Sequence, residues 1–152
     1  MHKHNKLLLS VLVVFIAALL GAGSAAAGDK PFERFGDHQV FFSVYNSSFI
    51  KPDIARIYNI TRGKDRALIN IAVVKDGVQG GIPAQISGTA TNLMQQQRKL
   101  EFSEIQEQDA VYYLASVRFT NEEVLNFAID VKMPGNRRPY QLKFTKTLYV
   151  DN

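Results

Sequence analysis

Val124-Leu-Asn-Phe-Ala-Ile-Asp-Val-Lys-Met133 puts Leu125, Phe127, Ile129, Val131 and Met133 on one side of the chain and Asn126, Ala128, Asp130 and Lys132 on the other. Strict alternation marks a half-buried strand, because successive side chains of a strand point to opposite faces. The same period recurs on both sides of this stretch. Val111, Tyr113, Ala115, Val117 and Phe119 oppose Tyr112, Leu114, Ser116 and Arg118, and Tyr140, Leu142, Phe144, Leu148 and Val150 make a third stripe, broken by Lys146. Ala67 to Val74 is apolar on both faces except at Asn70, as a central strand would be.

The intervals carry turn chemistry: Asp76-Gly77, Gly80-Gly81, Gln108-Asp109, Asn121-Glu122 and Pro134-Gly135-Asn136. Seven strands are predicted, over 39–46, 66–75, 82–90, 98–106, 110–119, 124–133 and 139–150. Strands at this spacing with no long helical pattern predict an all-β fold, a single antiparallel β-sandwich of immunoglobulin-like type, with an open barrel as the other arrangement. The Cys…Trp…Cys signature of true immunoglobulin domains is missing, since the chain has neither residue.

One short helical turn interrupts the β pattern near 52–58. Pro52 suits the first position of a helix, having no N–H to leave unbonded. Ile54, Ile57 and Tyr58 then share a face, which predicts a plug over the open end of the sandwich, with Asp53 and Arg56 in water.

Residues 1–27 read as a cleaved signal peptide. Lys3 and Lys6 precede an apolar run from Leu7 to Leu20, and Ala25-Ala26-Ala27 offers a small-residue cleavage site after Ala27. The run is shorter than the roughly 20 residues that span a bilayer, so membrane contact is expected only through the leader before cleavage. Without twin arginines the general secretory route into a Gram-negative periplasm is expected, and without Cys the protein is not a lipoprotein. The expected mature chain, residues 28–152, is a single domain without disulfides, stabilised by packing alone. Removing Lys3 and Lys6 lowers the formal charge from +4 to +2, and no basic stripe remains to suggest nucleic acid.

Several segments taken together resemble one family: F35-G-D-H-Q-V40, V44-Y-N-S-S-F-I-K-P-D-I-A-R-I-Y-N-I-T-R62, A67-L-I-N-I-A-V73, I86-S-G-T-A-T-N-L93, D109-A-V-Y-Y-L-A115 and F144-T-K-T-L-Y-V-D151. The chain is similar to the DUF4426 family of exported gammaproteobacterial proteins over nearly all of the mature region. The resemblance implies a small periplasmic β-sandwich of uncharacterised role and supplies no catalytic residues.

The residues themselves offer little chemistry. His38 is the single histidine of residues 28–152, and Ser43, Ser47 and Ser48 are its candidate nucleophiles, none in a G-x-S-x-G elbow. Catalytic residues, metal ligands and cofactors are all expected to be none, and the acids Glu101, Glu104, Glu107, Glu122 and Glu123 read as solvated. Tyr45, Asn46, Tyr58 and Arg62 flank the helical turn and are the candidate binding residues: Tyr as amphipathic contacts, Arg as a donor fork, Asn46 and Arg62 also as partners for loose backbone. Leu93 and Met94, in Thr91–Lys99, are expected to tuck under a long loop, or else to form an adaptable contact. The expected function is a non-enzymatic periplasmic binding or interaction module, a monomer or weak homodimer, whose partner is an envelope protein or a small ligand. The alternative is a small periplasmic hydrolase with a site near His38.

Overall fold

Apolar on both faces, the run Arg66–Lys75 lies in the middle of a five-stranded sheet. The computed structural model describes residues 31–152. In chain order its strands are β1 (Phe32–Phe35), β2 (His38–Asn46), β3 (Arg66–Lys75), β4 (Gln85–Asn92), β5 (Gln97–Leu100), β6 (Ser103–Glu107), β7 (Ala110–Arg118), β8 (Glu123–Lys132) and β9 (Tyr140–Leu148). They form an antiparallel β-sandwich of two sheets, ordered β1-β2-β3-β7-β6 and β5-β4-β8-β9. Phe32–Asn152 is one compact unit, and the expected signal peptide, with its expected cleavage after Ala27, lies outside the described residues.

The core lies between the sheets. Ile69, Ile71, Tyr113 and Val117 meet Leu125, Phe127, Ile129 and Leu142, all buried. Phe144, half-buried, stacks on Phe42 of the other sheet (4.6 Å) and on Phe127 beside it (4.8 Å). Gly88 lets β4 approach β8 closely: a Cβ there would lie 2.7 Å from the carbonyl oxygen of Ala128.

The strand count rises from seven to nine for two reasons. Phe32–Phe35 pairs with β2 through a turn at Gly36 (φ 61°), a strand of four residues too short to show a period. The predicted strand 98–106 is two strands. The chain pairs with β4 as far as Leu100, passes Glu101-Phe102, and pairs with β7 from Ser103, so one extended run changes sheets. The strand predicted at 82–90 begins three residues later, at Gln85.

The helical turn forms at Pro52–Ile57 (α1), after a 3-10 turn at Ser47–Phe49, but it does not plug the end of the sandwich. Leu68, Ala72, Tyr112 and Leu114 alternate with the inward residues of β3 and β7, so they face away from the other sheet, yet they are buried. Ile50, Ile54 and Ala55 are likewise buried outside the inter-sheet core. The Tyr58 hydroxyl reaches Glu107, whose strand partner Ala110 starts β7 at the end of the sheet remote from Asn46. The segment therefore runs across the outer face of the five-stranded sheet. A central strand apolar on both faces needs a cover on its second face, and this segment supplies one. Ile57, expected to point inward, is 50% exposed; Ile50, Ile54 and Tyr58, four residues apart, with Ala55, make the inner stripe instead.

Two ends follow from the register. The His38 end carries the turns after β1, β6 and β8 and the β3–β4 connection. The Asn46 end carries the β2–β3 connection, the turns after β4 and β7, and residues 149–152. Nine-residue β9 is an edge strand, and Lys146 sits on it in the inward register opposite Leu125 while remaining exposed.

Candidate functional site

The β2–β3 connection and the chain terminus are tied together at the Asn46 end. Asn46, 9% exposed, donates through Nδ2 to the Tyr149 carbonyl (2.9 Å) and to Asp151 Oδ1 (2.7 Å). Ser48 Oγ donates to Asp151 Oδ2, and Arg62 Nη2 donates to the Ser48 carbonyl at 2.9 Å. Ser47, fully buried, exchanges hydrogen bonds with Gly63, Oγ to carbonyl at 3.2 Å and N–H to Oγ at 3.0 Å. A long connection thus has its buried polar groups paired, the condition for irregular backbone to stay folded.

The β4–β5 turn is fixed from one residue. Asn92 Oδ1 accepts from the N–H groups of Met94 (3.1 Å) and Gln96 (2.9 Å), while Nδ2 donates to Gln96 Oε1 (2.8 Å) and Glu123 Oε1 (3.0 Å). Arg98 Nη2 and the Thr120 N–H also donate to the Glu123 carboxylate, each at 2.8 Å. Burial raises the Glu123 pKa, but Arg98, the Thr120 N–H and Asn92 outweigh it, so the carboxyl sits below its ordinary value. The segment expected to be a long loop is a tight hairpin, with Gln95 at φ 62°. Leu93 and Met94 stand 70% and 77% exposed, so the expectation of two covered side chains is overturned.

Of the candidate binding residues, the structure brings Asn46 and Arg62 together through Ser48. Tyr45 pairs with Leu68 and points to the outer face of the five-stranded sheet, where burial pushes its phenol up to about 12. Tyr58 reaches toward the other end and donates to Glu107 Oε1. Glu107, 3% exposed and expected to be solvated, is buried with Oε2 lacking a partner; burial raises its pKa. The same burial and the Glu107 charge raise the Tyr112 phenol. Residues the sequence did not single out are Phe49 and Tyr149, 63% and 59% exposed, and Asp151. The signal for Tyr149 was present: it follows the inward Leu148, so the alternation turns it outward.

His38 Nδ1 lies 2.8 Å from Asp37 Oδ1, an exposed carboxylate in a turn. Ser43 has the opposite strand parity and so the opposite face, and Ser47 and Ser48 lie beyond the far end of β2, at least about 26 Å along the strand at 3.3 Å per residue. Ser43, Ser47 and Ser48 therefore cannot pair with His38 as nucleophile and base. Among the described residues no group of three or more His, Cys, Asp or Glu side chains is placed to hold a metal ion.

The sandwich with its knitted loop end defines a class of small all-β domain in which a strand scaffold presents loops. The sequence profile of the domain of unknown function DUF4426 matches residues 32–151, and the chain belongs to that family. A crystal structure of a DUF4426 family protein from Pseudomonas aeruginosa PAO1 is 31% identical, with a TM-score of 0.71 over 80% of this chain and 95% of that one. FetP from uropathogenic Escherichia coli strain F11, recombinantly expressed in the periplasm of E. coli BL21(DE3), shares the fold at 12% identity, with a TM-score of 0.56 over 80% of this chain and 94% of its own. Among curated proteins none matches significantly.

Proposed function

We propose that the protein is a non-enzymatic periplasmic binding module that docks an envelope protein through the Asn46 end of its sandwich. The observation that carries this reading is the set Phe49, Leu93, Met94 and Tyr149: large, apolar or amphipathic, 59–77% exposed, and issuing from the β2–β3 connection, the β4–β5 turn and the terminal segment at one end. Exposed apolar side chains at one end of a sandwich favour a protein contact, and Met and Tyr suit one because they adapt or present a polar tip. The polar groups behind them bond to one another, so the loops keep their shape and ordering costs little on binding. Arg62, exposed beside them, supplies a donor fork for a partner carboxylate. The periplasmic setting rests on the leader, and expression of the similarly folded FetP in the periplasm agrees with it.

The test is cross-linked capture from periplasm with the wild type and with Leu93→Ser/Met94→Ser. The expected result is one dominant partner lost in the double variant at an unchanged melting temperature. Equal recovery of that partner by the double variant sinks the proposal.

A further inference from the structure

The outer face of the four-stranded sheet carries a second, chemically different surface. Lys132 and Lys143 stand exposed on this face and Arg137 and Arg138 on the adjoining β8–β9 loop, and none of the four makes an ion pair with a described residue. Between Asn126 and Lys146 the one acid is Asp130, and Gln141 lies within hydrogen-bond distance of it at 3.5 Å. Three open hollows follow the same face. One of about 500 Å³ lies between Pro83–Gln85 and Lys132–Asn136, one of about 290 Å³ shares Gln85 and Lys132 with it, and one of about 400 Å³ is lined by Thr89, Asn126 and Lys143. From Lys132 to Asn126 the track runs about 20 Å at strand spacing.

The lining says what such a track would hold. Ser87, Thr89 and Thr91 of β4 share the face with Asn126 of β8 and Thr145 of β9, so hydroxyls and amides stand in rows set by the pleat. Phe127 and Phe144 turn inward, and no aromatic side chain of these three strands stands on the outer face. A bilayer surface would call for apolar side chains to enter it, and a single-stranded nucleic acid for aromatic platforms. An acidic peptide adding to a sheet would use the free edge of β9 rather than its face. Rows of hydroxyl and amide groups match repeated sugar hydroxyls, and the unpaired cations match a negative charge repeated along the chain.

We propose that this face binds an anionic glycan, a linear saccharide bearing carboxylate or phosphate groups. The site is separate from the apolar Asn46 end and does not depend on it. Fluorescence anisotropy of labelled oligogalacturonate, with protein purified from the periplasm, tests it beside neutral dextran oligomers and poly-glutamate. Oligogalacturonate is expected to bind and to release as salt rises, because exposed charge pairs are screened. Dextran and poly-glutamate are expected to bind weakly or not at all. Lys132→Glu/Lys143→Glu should lower affinity by about tenfold or more, the worth of one lost charged hydrogen bond. Arg137→Gln/Arg138→Gln should lower it in the same direction, and Leu93→Ser/Met94→Ser should leave it unchanged. All the substituted side chains are exposed, so each variant should keep the wild-type melting temperature. Absence of oligogalacturonate binding at low salt, indifference to both charge variants, or equal binding of poly-glutamate overturns the assignment.

Discussion

The Tyr58 hydroxyl, from the residue that caps α1, donates to Glu107 Oε1 across 49 positions of sequence. This contact fastens the segment that covers the outer face of the five-stranded sheet to β6, an edge strand of that sheet. Covering segment and sheet edge are therefore stabilised together, and the carboxyl that joins them is buried with one oxygen unpaired.

The carboxyl should make stability depend on pH in an uncommon direction. Burial raises the Glu107 pKa from an ordinary value near 4.5, so the native state holds its proton more tightly than the unfolded chain does. Its contribution is fully present below that ordinary value and is lost as pH rises through the raised one. Glu107→Gln, which keeps an acceptor for Tyr58, should melt above the wild type at neutral pH and alongside it below pH 4.5. Thermal melts across that window check it; a gain that persists at acid pH would falsify the linkage.

Ile54 and Ile57 separate the covering role from the abandoned plug. Ile54→Ala should cost about 2–5 kcal/mol, as truncation of a buried aliphatic side chain does. Ile57→Ala, at a half-exposed position, should stay within about 0.5 kcal/mol of the wild type. Urea denaturation of the two variants reads the difference, and a reversed order would return Ile57 to the core.

Phe127 is 2% exposed and stacked on Phe144, so Phe127→Ala should cost about 3–5 kcal/mol. Near-neutral behaviour in the same denaturation measurement would mean that the β8 register is wrong.

Glu123 should act in the opposite sense to Glu107. Its pKa is depressed, so its contribution is present above the ordinary value near 4.5 and fades as pH falls through the lowered one. Asn92→Ala, which strips the β4–β5 turn of its side-chain bonds, should cost about 1–3 kcal/mol and raise amide exchange at Met94 and Gln96. Unchanged exchange at those two amides counts against Asn92 as the holder of the turn.

Where each strand is long and its inner and outer residues differ, the sequence was legible. β8 and β7 announced themselves by alternation, and β3 by being apolar on both sides. Alternation says nothing about hydrogen-bond partners, however. Arg98, Leu100, Phe102 and Glu104 keep one parity through the change of sheet, so two strands read as one. The same blindness limits the site. Asn46 and Arg62 stood out because they flank the helical turn, but the terminal residues Tyr149 and Asp151 join Asn46 from 103 and 105 positions away. Leu93 and Met94 read as covered because nothing local revealed that the Asn92 amide closes a tight turn there.

Lys146 bears on what happens when many copies of this chain are crowded together. An edge strand of nine residues is a template onto which a neighbour could add its own strand, copy after copy, into a fibril. A neighbour extending the sheet past β9 would carry the Lys146 ammonium toward an apolar interior without a counter-charge, and desolvation makes that unfavourable. The residue that broke the last stripe of alternation is thus a guard against polymerisation: replaced by an aliphatic side chain, it would complete the stripe and leave β9 open to self-association.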